Sequence, residues 1–230
     1  MWILYKELKL NEDLLFFNLT DSLIPFFMLK IIYDFFAGTP IVDILAVITG
    51  IIYVILVARN DIRGWIFGFA NALLTMYSVF FYLNLYMETF LYGFYSVAAI
   101  YGWYNWKKQE KVAVKIMKLH FNKHVILVVS GLILTFIFGY FFDKYTEAAS
   151  TYLDAFTTIF ALMTTVMVAY RILENWLYWM VIDSVSIYLY SSRGGDFYVI
   201  LFSVYILVSI LGFIKWTKEY NSQKVSKSEL

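Results

Sequence analysis

The stretch ENWLYWMVIDS, residues 174 to 184, sets Trp176, Trp179 and Asp183 at spacings of three and four, so all three share one helical face. Two indole rings and a carboxylate in one column suit a ligand that carries positive charge, because a Trp face attracts a desolvated cation by ~0.5–2 kcal/mol. Simpler readings compete with this one. Trp collects at membrane headgroup depth, which fits Trp176, at the start of its apolar run, better than Trp179, about 4.5 Å further along at ~1.5 Å per residue. Asp183 lies about 10 Å beyond Trp176 by the same rise. At such depth a carboxylate is penalised by ~2.5–3.5 kcal/mol, so it faces either a ligand or a hydrogen-bonding partner on another helix.

The elements that must hold this column are apolar. Hydrophobic residues fill 62% of the 230 positions and the mean hydropathy is +0.70, the profile of a polytopic membrane protein. A net charge of +1 provides no basic field for nucleic acid. The absence of cysteine excludes disulfides, thiolate catalysis and Cys-type metal sites. The N-terminal MWILYKELKLNEDLLFF lacks the pattern of a cleaved signal peptide and is read as mature protein.

Apolar stretches of membrane-crossing length predict seven spans, near 40–58, 64–83, 86–106, 124–142, 154–170, 175–191 and 197–217. The stretch 14–36 carries Asp21, Lys30 and Asp34 and is broken by Pro25, so it is read as interfacial or as an extra helix. Threading the seven spans puts most of the eighteen Lys and Arg on one side, among them Arg59, Arg63, Lys107, Arg171 and Lys215. Lys6, Lys9, Lys30, Lys144 and Arg193 fall on the other. Positive charge collects on the cytoplasmic side, which predicts a cytoplasmic C-terminus and a cytoplasmic connection over 107–123.

The spans repeat. At an offset of 111, Asp43 falls on Asp154, Ala58 on Ala169 and Trp65 on Trp176; at 110, Gly102 falls on Gly212 and Trp106 on Trp216. One span lies between the two blocks, so both enter the membrane from the same side, as parallel repeats about an axis along the membrane normal. The expected fold is therefore an all-α integral membrane protein of seven transmembrane helices in a 3+1+3 arrangement. Its predicted parts are an N-terminal segment (1–39), a three-helix bundle (40–106), a loop and linker helix (107–142), a second bundle (143–217) and a cytoplasmic tail (218–230). Carriers built this way place their substrate between the halves near the midplane.

The motifs ENWLYWMVID (174–183), FGFANALL (67–74) and IYGWYNW (100–106), in this order over residues 40 to 217, resemble those of the PnuC family of bacterial vitamin transporters. The resemblance implies a SWEET-like fold and uptake of nicotinamide riboside by facilitated diffusion at the inner membrane, with a cytoplasmic riboside kinase trapping the vitamin. Thiamine or riboflavin is the alternative cargo. The family's paired Trp corresponds to Trp176 and Trp179, implicated in holding substrate, and the Asn of its first-block motif to Asn71. Family members often show Gln and Asn on the third span where this chain has Tyr92 and Ala99, and Asp183 stands where some have Asn.

Nicotinamide riboside joins a cationic ring to a ribose, so its site needs π faces, a carboxylate and hydroxyl or amide partners. Asn71 can both donate and accept, and Thr75 extends its face at i+4; hydrogen bonding between helices is the competing role for both. Tyr92 and Ser96, with Tyr95 beside them, offer hydroxyls on the third span, as do Tyr188 and Tyr198 elsewhere, but a chain with twenty Tyr makes each a weak signal. Asp43 and Asp154 begin equivalent helices, where a carboxylate caps free amides; a paired outer gate is the rival reading. Gly64 and Gly68 form a G-x-x-x-G suited to close helix contact. His120 and His124 lack the acidic partner of a zinc-protease motif and are read as solvated loop residues. No hydrolase elbow, P-loop or cofactor motif occurs, so the chain is not read as an enzyme. A homo-oligomer is left open. From a different class comes the alternative of a non-transporting membrane receptor or assembly subunit.

Overall fold

The computed structural model describes residues 30, 31, 33, 37–82, 86–110, 116–145 and 151–228. It divides into Met1–Pro40 and Ile41–Leu230, and the reading of 14–36 lies almost wholly outside the described residues. The second unit is helical: α1 (Ile41–Ala58), α2 (Gly64–Phe81), α3 (Tyr86–Glu110), α4 (Phe121–Tyr145), α5 (Thr151–Ala169), α6 (Asn175–Ser192) and α7 (Asp196–Ser228). Five of these are long and apolar enough to cross a membrane, namely α1, α2, α4, α5 and the Asp196–Gln223 stretch of α7. The sequence reading treats α3 and α6 as spans too, yet both fall short of that apolarity. The reason is composition: α3 is rich in Tyr, Trp and Gly and carries Glu88 and Asn105, and α6 combines Asp183 with Ser184, Ser186 and several Trp and Tyr.

Helix α2 packs between α1 and α3, α6 packs on α5 and α7, and α4 lies against α5. The two groups meet through α1 on α7 and α3 on α5. Glycine sets the closest approaches. A Cβ on Gly68 would come within 2.8 Å of the Tyr53 ring, and one on Gly64 within 3.0 Å of Val57, so the G-x-x-x-G serves contact with α1.

Helices α1 and α5 end alike. Asn60 and Arg171 both take positive φ, at 58° and 53°. Asn60 N–H donates to Val57 and Asp61 N–H to Leu56, at 2.8 and 2.9 Å; Arg171 N–H donates to Val168 and Ile172 N–H to Met167, at 2.9 and 3.0 Å. These are two Schellman caps 111 residues apart. Asn tolerates the left-handed region, whereas Arg needs support to occupy it.

That support is a buried cluster. Trp65 meets Trp106 at 5.5 Å and Trp176 meets Trp216 at 5.4 Å, both edge to face, and Trp106 and Trp216 are 6.1 Å apart. A Cβ on Gly102 would lie 2.5 Å from Trp65, and one on Gly212 2.7 Å from Trp176. Arg171, fully buried, stacks its guanidinium 4.1 Å over Trp106 and donates to Asn60 at 2.8 Å and Gln109 at 2.6 Å. Trp106 Nε1 donates to the Val168 carbonyl at 3.1 Å, and Asn105 to that of Ala169 at 2.7 Å.

The same end gathers the remaining connections. Met117 pairs with the α5–α6 turn, donating to Arg171 at 3.0 Å and accepting from Leu173 at 2.8 Å, and Leu119 N–H donates to Glu174. Helix α7 runs on to Ser228, beyond its expected end at 217, because its polar extension finds partners: Glu219 accepts from Asn60, and Gln223 accepts from Ile116 N–H. His124 also departs from expectation. It sits in the first turn of α4 with Nδ1 2.9 Å from the Tyr178 hydroxyl and its ring stacked on Tyr178, because α4 starts earlier than its apolar run.

Candidate functional site

Helix α6 presents Trp176, Trp179 and Asp183 in one column, but their surroundings differ. Trp176, 2% exposed, is wedged between Gly212 and Trp216 in the aromatic core. Trp179 is part-buried and borders that core. Asp183, further along, is 3% exposed, and no other described residue hydrogen-bonds its carboxylate. Its neighbour on α7 is Tyr205, within electrostatic reach.

Tyr205 ties this carboxylate to Asn71. A Cβ on Gly50 of α1 would lie 3.0 Å from Asn71 Nδ2 and 3.3 Å from the Tyr205 hydroxyl, so α1, α2, α6 and α7 converge on one layer. Asn71 donates to the Ala46 carbonyl at 2.7 Å, and the Thr75 hydroxyl donates back to the Asn71 backbone carbonyl at 2.9 Å. One amide proton of Asn71 thus joins helices, while its side-chain oxygen accepts from no described residue. Sequence reasoning missed Tyr205, which belongs to no motif and is one Tyr among twenty.

The remaining candidates lie elsewhere. On α3 the Ser96 hydroxyl donates to its own helix at the Tyr92 carbonyl, 2.8 Å away, and the Tyr92 and Tyr95 rings are 5.9 Å apart. Tyr95 is in electrostatic reach of Tyr53, on the other side of α2's glycine face. Tyr188 is 67% exposed, and Tyr198 stacks on Tyr190 at 4.7 Å. Asp154 is held by Arg193 through two contacts, 2.7 and 3.2 Å, while Asp43 lies in reach of Tyr198. The hydrogen bonds that Arg193 donates to Asp154 push its guanidinium up from its ordinary value. Among the described residues no three His, Asp or Glu gather as a metal site.

Known proteins share this arrangement. Residues 40–218 match the model of the nicotinamide mononucleotide transporter family, which covers α1 to α6 and most of α7. The chain belongs to this family. Its relatives include the nicotinamide riboside transporter PnuC of Haemophilus influenzae, 28% identical over 180 residues that cover 74% of this chain and 76% of that one. PnuC of Escherichia coli is 24% identical over 181 residues, covering 66% and 75%. A crystal structure of the vitamin B3 transporter PnuC superposes with a TM-score of 0.67 at 24% identity, over 88% of this chain and 92% of that chain, and so shares its fold. The protein is thus a multi-pass membrane protein of the PnuC family, and the residues before 40 fall outside the match.

Proposed function

We propose that this protein carries nicotinamide riboside across the inner membrane by facilitated diffusion, with access alternating around a midplane site. The observation that carries the reading is Asp183: a carboxylate buried on α6 with no hydrogen bond from any other described residue, four residues past Trp179, in a chain whose relatives are named for this vitamin. Trp179 supplies a π face and Asp183 the counter-charge for the pyridinium ring; Asn71 and Thr75 serve the ribose. Trp176 belongs to the scaffold. Tyr92 and Ser96 line the approach from α3.

Two parallel three-helix bundles, α1–α3 and α5–α7, flank α4 as linker. The paired caps, the matched Gly–Trp contacts and the α1–α7 and α3–α5 packing all support that 3+1+3 reading. The Lys- and Arg-rich end is cytoplasmic by charge, and the Arg171 cluster closes the bundles there. Asp154 with Arg193, and Asp43, stand at the opposite end as gate elements. A cytoplasmic kinase acting on the imported riboside would keep uptake running downhill.

Proteoliposome uptake of labelled nicotinamide riboside against labelled thiamine tests this. Saturable uptake of the riboside, preferred over thiamine, is expected. Preference for thiamine would correct the cargo, and no saturable uptake of either would favour a receptor or assembly subunit.

A further inference from the structure

Three polar groups in the central layer have no hydrogen-bond partner among the described residues: the Asp183 carboxylate, the Tyr205 hydroxyl and the Asn71 side-chain oxygen. Unpaired polar groups at membrane depth are heavily penalised, so those that persist face a substrate path or a wet cavity. The sequence repeat sharpens this. Tyr205 falls on Tyr95 at the offset of 110 that aligns the third helices, yet Tyr95 has Tyr53 as its neighbour, whereas Tyr205 has a carboxylate and an amide. Asp183 itself falls on Ala72, 1% exposed. The duplicated tyrosine has therefore been drawn into a polar layer in the second bundle alone.

Gly50 explains how the layer closes. It is buried on α1, and any side chain there would enter between the Asn71 amide and the Tyr205 hydroxyl, 3.0 and 3.3 Å from a Cβ. Asn71 is fixed by its bond to Ala46 at 2.7 Å and retains one N–H and its oxygen. A phenol that donates and accepts, beside an amide that does the same, matches vicinal sugar hydroxyls, each of which also donates and accepts.

We propose that Tyr205 is a further substrate-binding residue, whose hydroxyl, with the Asn71 amide, recognises the sugar hydroxyls of a cationic nucleoside, while Gly50 keeps the space between them open. The inference rests on the transport reading above. It divides the site: Trp179 and Asp183 hold the charged ring, and Asn71 and Tyr205 select for the sugar.

The test compares binding of nicotinamide riboside with that of its 2′,3′-dideoxy analogue, which keeps the cationic ring and the 5′-hydroxyl but lacks the vicinal hydroxyls, to the purified full-length chain. The wild type is expected to prefer the riboside. Tyr205→Phe should reduce that preference about three- to tenfold, the worth of one neutral hydrogen bond, with analogue binding and melting temperature unchanged. Gly50→Ala, which crowds the same hydroxyl, should reduce it likewise and covers the case in which Tyr205→Phe does not fold. An undiminished preference in the folded variants, equal weakening of both ligands, or no preference in the wild type would overturn the inference. Failure of the wild type to bind either compound would overturn the transport reading itself, so the two failures are distinguishable.

Discussion

On the proposed reading, Asp183 is the residue that answers the charge of the substrate. Burial at 3% exposure with no hydrogen bond from another described residue is tolerable for a carboxylate only when something else supplies the compensating charge or donors. Asp183→Asn retains the shape and removes the charge, so affinity for the cationic vitamin should fall roughly ten- to hundredfold, the worth of one charge-assisted hydrogen bond. Folding should persist, because removing an isolated buried charge relieves desolvation. Isothermal binding and thermal melting on the same samples separate the two; unchanged affinity would make the carboxylate structural. Trp176 and Trp179 make the complementary point. They share a face and a residue type, yet one fills the notch over Gly212 and the other is only part-buried at the edge of the same core. Exchange between the bundles accounts for the difference: at positions related by 111, Tyr53 and Gly68 correspond to Thr164 and Trp179. The large ring sits on α1 in the first bundle, where it covers Gly68, and on α6 in the second.

At the scale of elements, the turns after α1 and α5 carry the coupling. Arg171 is held in a left-handed conformation that costs an ordinary side chain about 1 kcal/mol or more, and its side chain reaches Asn60 and Gln109 of the other group. Stacked over Trp106, a planar fork does what a lysine could not. Arg171→Ala should destabilise the protein by roughly 1.5–3 kcal/mol, read as a lower melting temperature, and Arg171→Lys should recover little of it. A melting curve unaltered by Arg171→Ala would mean that the α1–α7 and α3–α5 packing alone holds this end.

For the molecule as a whole, the proposed transport fits an imbalance. The hydrogen bonds of Asn105 to Ala169, Trp106 to Val168 and Arg171 to Asn60 and Gln109 join α1–α3 to α5–α7 at the tryptophan end, while among the described residues the Asp183 carboxylate, the Tyr205 hydroxyl and the Asn71 side-chain oxygen have no hydrogen-bond partner. If, as proposed, the vitamin is the only cargo and no ion or nucleotide is consumed, the carrier equalises concentrations and stops. Vesicles without a gradient should therefore reach equal internal and external riboside, and imposing a sodium or proton gradient should leave that end point unmoved; accumulation above it would sink the facilitator reading.

Much of this was legible in the linear chain. Apolar run length located the seven helices to within a few residues, except where polar ends such as Lys215 to Ser228 continue a helix that hydropathy cannot see. Spacing put Trp176, Trp179 and Asp183 on one face, and the offset of 111 paired residues whose turns carry the same hydrogen bonds. Periodicity reports which residues share a face of one helix, because that is set by local backbone geometry. It does not report which faces of different helices meet. Only the packing of α1, α2, α6 and α7 brought Tyr205 and Gly50 to Asn71 and Asp183, and moved Trp176 into the core, since those contacts join residues on different helices whose relative rotation no local pattern records.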